Sequence, residues 1–295
     1  MDSKVKDKIW TRTLYAISIS VVLLLVLMVG YIFYQGRGFL NPSFLFGEPK
    51  IVEVGSGIGP QLFNSFYMLV VSLLITVPIG VGAGVYLAEY AKEGVFLNII
   101  RLSIEAISSL PSIVVGLFGL LVFVNLTKWG FTLFSGALAV AILNLPTITR
   151  VSENAISSVS KTIKEGSIAL GATKFQTIWR VVLPAALSQI ITGIILISGR
   201  IFGEAAALLY TSGMSAPTLD FSAKSIFSSN SPFNIFRPAE TLSVHIWKLN
   251  SEGMVPDATS IANKSSAVLI IMVLIFNILA RILGKKIQEK YTGTK

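Results

Sequence analysis

The chain has 295 residues, 53% of them hydrophobic and 13% charged, where an ordinary soluble domain carries about 25% charged residues. Together with a mean hydropathy of +0.74, this composition excludes a soluble enzyme, a disordered chain and a disulfide-framed secreted module, and it points to a membrane protein. The net charge of +9 does not mark a nucleic-acid partner, because the 24 Lys and Arg residues are dispersed between apolar segments, and the lack of Cys removes thiolate metal sites and Cys nucleophiles.

A helix rises about 1.5 Å per residue and bilayer hydrocarbon is about 30 Å thick, so uncharged runs of roughly twenty residues predict membrane spans. Six candidates occur: 14–34, 63–88, 107–127, 131–149, 181–210 and 265–283, the fifth carrying Arg200 and Glu204 and the sixth Arg281 in otherwise apolar sequence. The first follows Lys4, Lys6, Lys8 and Arg12. It is too long for the apolar region of a signal peptide and no small-residue cleavage pattern follows it, so it reads as an uncleaved span. The second carries Pro78, Gly80, Gly82 and Gly84, read as close helix packing rather than substrate lining. Pro111 and Pro146 fall near the ends of the third and fourth runs.

The connection from Arg150 to Leu183 is long and basic, and its sequence KEGSIALGATKFQTIWRVVLP (164–184) predicts a helix, a turn and a second helix. Ile163, Ile168, Leu170, Phe175, Ile178 and Trp179 give it apolar faces too short for a span, so this segment is expected outside the bilayer with a surface that needs a partner. The other reading is an amphipathic helix on lipid headgroups.

Within the fifth run, Arg200 and Glu204 stand four residues apart, which predicts one helix face. An Arg near the bilayer centre costs about 2.5 to 3.5 kcal/mol, so both side chains are expected to face a partner or a wet path. Arg200 then offers bidentate recognition of an oxyanion, with Glu204 holding it when no substrate is present. The alternative is a structural ion pair binding helices together.

The next connection, 211–264, is too polar and broken to cross the bilayer. Residues 241–250 predict a short interfacial helix with Trp247 at headgroup depth. His245, the single His, lacks a second His or an acidic cluster nearby and reads as structural. The sixth run ends near Arg281, placed to snorkel to the interface.

Six spans put both termini on one side. Sixteen of the 24 basic residues fall in the termini and the second and fourth connections, against seven in the other three, so both termini are expected to face the cytoplasm, with 211–264 on the outer face. The predicted organisation is a cytoplasmic segment, first span and outer loop over 1–61, a five-helix core over 62–284 that contains the connection 150–184, and a basic cytoplasmic tail over 285–295.

The cytoplasmic connection resembles the EAA loop of ABC-importer permeases, written Glu-Ala-Ala, three residues, Gly, nine residues, Ile-x-Leu-Pro. Glu165, Gly171, Leu183 and Pro184 match at the family spacing; Gly166 and Ser167 replace the two Ala, and Val181 replaces Ile. The resemblance implies the all-α, six-span type I (MetI-like) fold and a coupling helix seated in a groove of a separate ATPase, contacted through Glu165, Gly166, Ser167, Ala169, Gly171, Ala172, Leu183 and Pro184. Gly171 would supply a positive-φ turn, and Glu165 near the helix start would suit its dipole.

Five stretches (110–120, 142–156, the EAA loop, 197–210 and 237–250) further resemble the PstA-type permeases of phosphate importers. That resemblance implies a PstC-like second permease, a PstB-like ATPase dimer and a PstS-like phosphate-binding protein, with Arg150 and Arg200 associated with phosphate passage and no cofactor in this chain. No Gly-x-x-x-x-Gly-Lys-Ser/Thr sequence occurs, so ATP would be bound and hydrolysed by a partner. Sulfate, molybdate or amino-acid import in the same class, a secondary transporter and a membrane-bound signalling scaffold are the alternatives.

Overall fold

The computed structural model describes residues 3–50, 55–223, 225–226, 228–253 and 255–292. Lys224 and the last three residues of the basic tail lie outside that set. The regular structure among the described residues is helical throughout. Five helices are long and apolar enough to cross a bilayer, and a pair bent by 96°, 95–108 with 112–126, passes the same test only when taken together.

Helix α1 (Ser3–Gln35) includes the basic residues before the first apolar run and is exposed along its length. Beyond Arg12 it is apolar on every side and suits lipid or a partner helix better than water. It joins the body at Gly36, where a Cβ would stand 2.7 Å from the Asn263 carbonyl oxygen at the start of the last helix. The short α2 (Pro42–Phe46) follows, capped by the Asn41 side chain.

Helix α3 (Gly59–Val85), prolonged by a π-helical turn over Tyr86–Tyr90, packs along α6 (Leu133–Ser157). A Cβ at Gly80 would lie 2.1 Å from Ile148 Cγ2, and one at Gly84 2.5 Å from Ser152 Cβ. Two glycines four residues apart therefore let the two backbones meet. Gly82, on another face, has nothing within 4 Å of such a Cβ.

The third crossing differs from the predicted single run 107–127. Helix α4 (Val95–Ser108) stops short of Pro111, and α5 (Ser112–Gly119) continues through a π-helical turn over Leu120–Leu126 at 96° to it. Proline lacks a donor and disfavours helix in the residue before it, so Leu110–Pro111 breaks the run. Residues 112–126 span only about 22 Å. Beside α5, Gly116 allows the backbone at Ala206 and Ala207 to approach, with 2.8 Å from its notional Cβ to the Ala207 Cα.

Helix α7 (Lys161–Ala169) and α8 (Lys174–Thr177) follow α6; a π-helical turn over Ile178–Val182 then merges into α9 (Leu183–Gly203). The connection is thus shorter than the predicted 150–184: α6 persists to Ser157, and the fifth membrane helix is already wound from Lys174. At its far end that helix stops at Gly203, not Tyr210, and the chain opens at Glu204 before α10 (Ala206–Leu209). Helix α11 (Leu242–Glu252) forms over the predicted short helix 241–250, and α12 (Ala258–Thr292) is the last of the long apolar helices.

Two cores separate the ends of the bundle. One, around Met68, Leu133, Phe202, Leu208, Leu242 and Val268, binds α3, α6, α9, α11 and α12 at the end carrying 204–257. The other, around Ile156, Val182, Ala186 and Ile190, lies beneath the 158–173 turn.

Candidate functional site

The 158–173 turn is built locally. Helix α7 ends at Ala169, and Gly171 turns the chain with φ at +89°, a conformation that favours glycine. Thr173 then starts α8 with a capping box: its hydroxyl accepts from the Gln176 N–H while the Gln176 side chain accepts from the Thr173 N–H. The Ser167 and Thr177 hydroxyls meet at 3.0 Å and tie α7 to α8. Two helices are thereby held as one hairpin.

The residues that depart from the EAA pattern fit this hairpin. Gly166 has open space where a Cβ would stand, so the missing methyl costs no contact, and Ser167 uses its hydroxyl in the hairpin bond. Glu165 is exposed in the second turn of α7, not in its first, so the expected dipole contact is not made. Ala169 and Gly171 are exposed and Ala172 is half-buried. Leu183 and Pro184 are half-buried where the π-helical turn gives way to α9, inside a helix wound continuously from Lys174.

The apolar surface is largely where the sequence places it. Ile163, Ile168, Phe175 and Trp179 are each more than half exposed, and Leu170 is 90% exposed at the tip. The Phe175 and Trp179 rings meet in a tilted arrangement at 5.9 Å between centroids. Ile178 is the exception: it is 2% exposed, because the π-helical turn rotates it inward beside Val182.

Arg200 and Glu204 do not share a helix face. Arg200 lies exposed in the last turn of α9, whereas Glu204 has left the helix with ψ at 122°. The Glu204 carboxylate accepts from the Ala207 N–H, and its carbonyl accepts from Ser243 Oγ at 2.6 Å. No salt bridge joins Arg200 to any acid among the described residues. Arg150 on α6 pairs with Glu105 on α4 at 3.3 Å, and one turn on Glu153 pairs with Arg101 at 2.5 Å. Val151 faces Gly193 of α9; Arg200, seven residues beyond Gly193, therefore stands about 10 Å further along the bundle than Arg150.

A polar cluster at the opposite end from the turn was not foreseen. Arg237, 2% exposed, donates to the carbonyls of Ser231, Pro232 and Pro238 and to Asn64 Oδ1 at the start of α3. Burial lowers its pKa to about 10. Glu240 beside it accepts from Gln61 at 2.8 Å and lies 3.3 Å from His245 Nδ1 and 3.6 Å from Lys248. Burial pushes the Glu240 carboxyl up, but His245, Gln61 and Lys248 outweigh it and hold it below the usual glutamate value. His245 is buried beside Glu240, and no group of three His, Cys, Asp or Glu side chains placed to hold a metal occurs among the described residues. Four charged or ionisable residues within 237–248 were the available signal, but Gln61 and Asn64 are some 170 residues distant in sequence.

Residues 80–292 match the family described as the binding-protein-dependent transport system inner membrane component. The chain belongs to that family. This permease is 51% identical over 293 residues to the probable ABC transporter permease protein YqgI of Bacillus subtilis (strain 168), covering 99% of this chain and all of the relative. It is 32% identical over 240 residues to the phosphate transport system permease protein PstA of Yersinia pestis, covering 81% and 76% of the two chains. A solved bacterial alginate ABC transporter shares its fold, with a TM-score of 0.67 at 17% identity over 96% of this chain and 98% of that one. The permease is thus an all-α, multi-pass membrane subunit of the ABC-importer class.

Proposed function

We propose that this permease is one of two membrane subunits of an ATP-driven phosphate importer. Its companions would be a second, PstC-like permease, a PstB-like ATPase dimer on the 158–173 turn and a PstS-like phosphate-binding protein at the other face. The observation that carries the cargo is Arg200: an exposed guanidinium, without an acidic partner among the described residues, on a helix apolar enough to span the bilayer. Lipid is a poor solvent for it, so its free face belongs against a second subunit or a wet path. Its planar fork suits an oxyanion there. The likeness to PstA over 81% of the chain supports phosphate among oxyanions. Arg150 would stand deeper on the same path, its charge shared with Glu105.

The excess of Lys and Arg in the termini and in the connections on their side supports a cytoplasmic location for the turn and both termini. Exposed Leu170, Ile168, Phe175 and Trp179 then form the surface for the ATPase. ATP-driven closure of that partner would alternate the access of a path whose charges require no chemistry on the cargo.

The test is uptake of radiolabelled phosphate by proteoliposomes holding the full transporter. Arg200→Gln should abolish uptake while the subunits still co-purify; uptake at the unsubstituted rate rejects the path role. Excess unlabelled sulfate or molybdate should leave phosphate uptake unchanged, and suppression by either would transfer the cargo reading to that oxyanion.

A further inference from the structure

The hairpin of α7 and α8 continues α6 and leads into α9, but no chain segment joins it directly to α3, the helix most intimately packed on α6. Helix α7 itself packs mainly on α8 and on the π-helical turn after it. Three side chains span the remaining gap. Lys164 in α7 donates from Nζ to Glu89 Oε1 at 2.5 Å and to the Ile156 carbonyl of α6 at 3.2 Å. Lys174 at the start of α8 donates to the Glu89 carbonyl and lies 4.8 Å from the centroid of the Tyr90 ring. Glu89 occupies the π-helical turn that ends α3, where the Ala91 N–H reaches back to the Tyr86 carbonyl.

These contacts differ from ordinary surface pairs. The side chains of Glu89 and Lys164 are only 12% and 19% exposed, so water screens them little. Each arm of the hairpin supplies one cation to one residue of α3, and Lys164 also grips α6. Within the bundle, Gly80 and Gly84 bring α3 and α6 into backbone contact.

We infer that Glu89, Lys164 and Lys174 form a clamp that makes the hairpin and the nearby ends of α3 and α6 one rigid body, so that force applied at Leu170 reaches the paired helices. The three are positioning residues, and the inference rests on the coupling role proposed above. Loss of the clamp leaves the docking surface intact but lets the hairpin yield, so ATP is consumed without a matching movement of the path.

The chain contains no Cys, so labels attached to the purified permease before assembly sit only at the introduced positions. Spin labels are placed at Glu93→Cys, just past the clamp, and at Lys161→Cys in α7, both exposed positions, in the full transporter. Expected is a single inter-label distance that is the same in nucleotide-free and ATP-bound, hydrolysis-arrested complexes. Lys164→Gln should add a second, nucleotide-dependent distance and lower uptake per ATP hydrolysed about tenfold, with subunits still co-purifying. The swap E89K with K164E should return the single distance and most of the ratio. Should Lys164→Gln fail to assemble, Lys174→Gln, which keeps the Glu89–Lys164 pair, carries the same expectations. A distance that shifts with nucleotide in the parent, or a clamp variant whose distances and ratio match the parent, overturns the inference. A parent complex that takes up no phosphate refutes the cargo alone, since the label distances still judge the clamp.

Discussion

Arg237→Met removes a buried guanidinium while nearly preserving side-chain length. It orphans four acceptors: the carbonyls of Ser231, Pro232 and Pro238, and Asn64 Oδ1. At about 1.5 kcal/mol for each bond to a charged donor, the loss is ~6 kcal/mol. Relief from burying the cation, whose pKa burial lowers to about 10, returns about half of that. The net destabilisation of the clasp between α3 and segment 231–243 is thus about 3 kcal/mol, roughly a hundredfold in its opening equilibrium. Ala239, fully buried between these elements, reports on that opening as Ala239→Cys in the otherwise Cys-free chain. Its maleimide labelling rate in purified permease should rise about a hundredfold in Arg237→Met, because labelling follows the open population when reclosing is fast. A rise of less than about threefold would refute the clasp energetics and reduce the Arg237 bonds to contacts of no net consequence.

The acid of the same cluster gives a pH dependence. Glu240 has a folded pKa below its ordinary value, so the open state binds the extra proton; its stabilisation is complete above the ordinary glutamate range and is lost as the pH falls from that range through the lower folded value. Labelling of Ala239→Cys, normalised to exposed Ser229→Cys, should accelerate on acidification through that range, and Glu240→Gln should flatten the profile. In the bundle, Gly84→Val places atoms within 2.5 Å of Ser152 Cβ and 2.9 Å of the Glu153 nitrogen, which should lower stability by about 1–3 kcal/mol. Thermal melting in detergent, with Gly82→Val in open space as the control, checks that difference. Leu170→Asp at the exposed tip should leave the melting midpoint unchanged but prevent co-purification of the ATPase; a retained complex would move the docking surface elsewhere.

Several features were legible in the sequence because they depend on local chemistry. Leu110–Pro111 marks a place where helix geometry fails, though the apolar run across it conceals the 96° bend. The hairpin was legible as helix, turn and helix with Gly171 at the turn, and close packing of the second run from Pro78 and its three glycines, whereas the Thr173–Gln176 capping box and the confinement of contact to Gly80 and Gly84 emerge only in the fold. The Arg200–Glu204 spacing misled: a four-residue interval places two side chains on one face only if the helix continues, and here it ends at Gly203. Ile178 misled similarly, since a π-helical turn changes which face a residue occupies.

Length, hydropathy and the uneven distribution of Lys and Arg settled by themselves that this is a helical, multi-pass membrane chain, because the bilayer imposes its thickness and polarity on each segment separately. Pairing across distance was decided only in the folded bundle. Arg237 with Asn64, Glu240 with Gln61, Arg101 with Glu153 and Glu89 with Lys164 are brought together by helix packing. A buried charge must find a partner, but the partner's place in the chain is fixed by which backbones can touch, and that depends on the whole set of glycines, breaks and apolar faces at once.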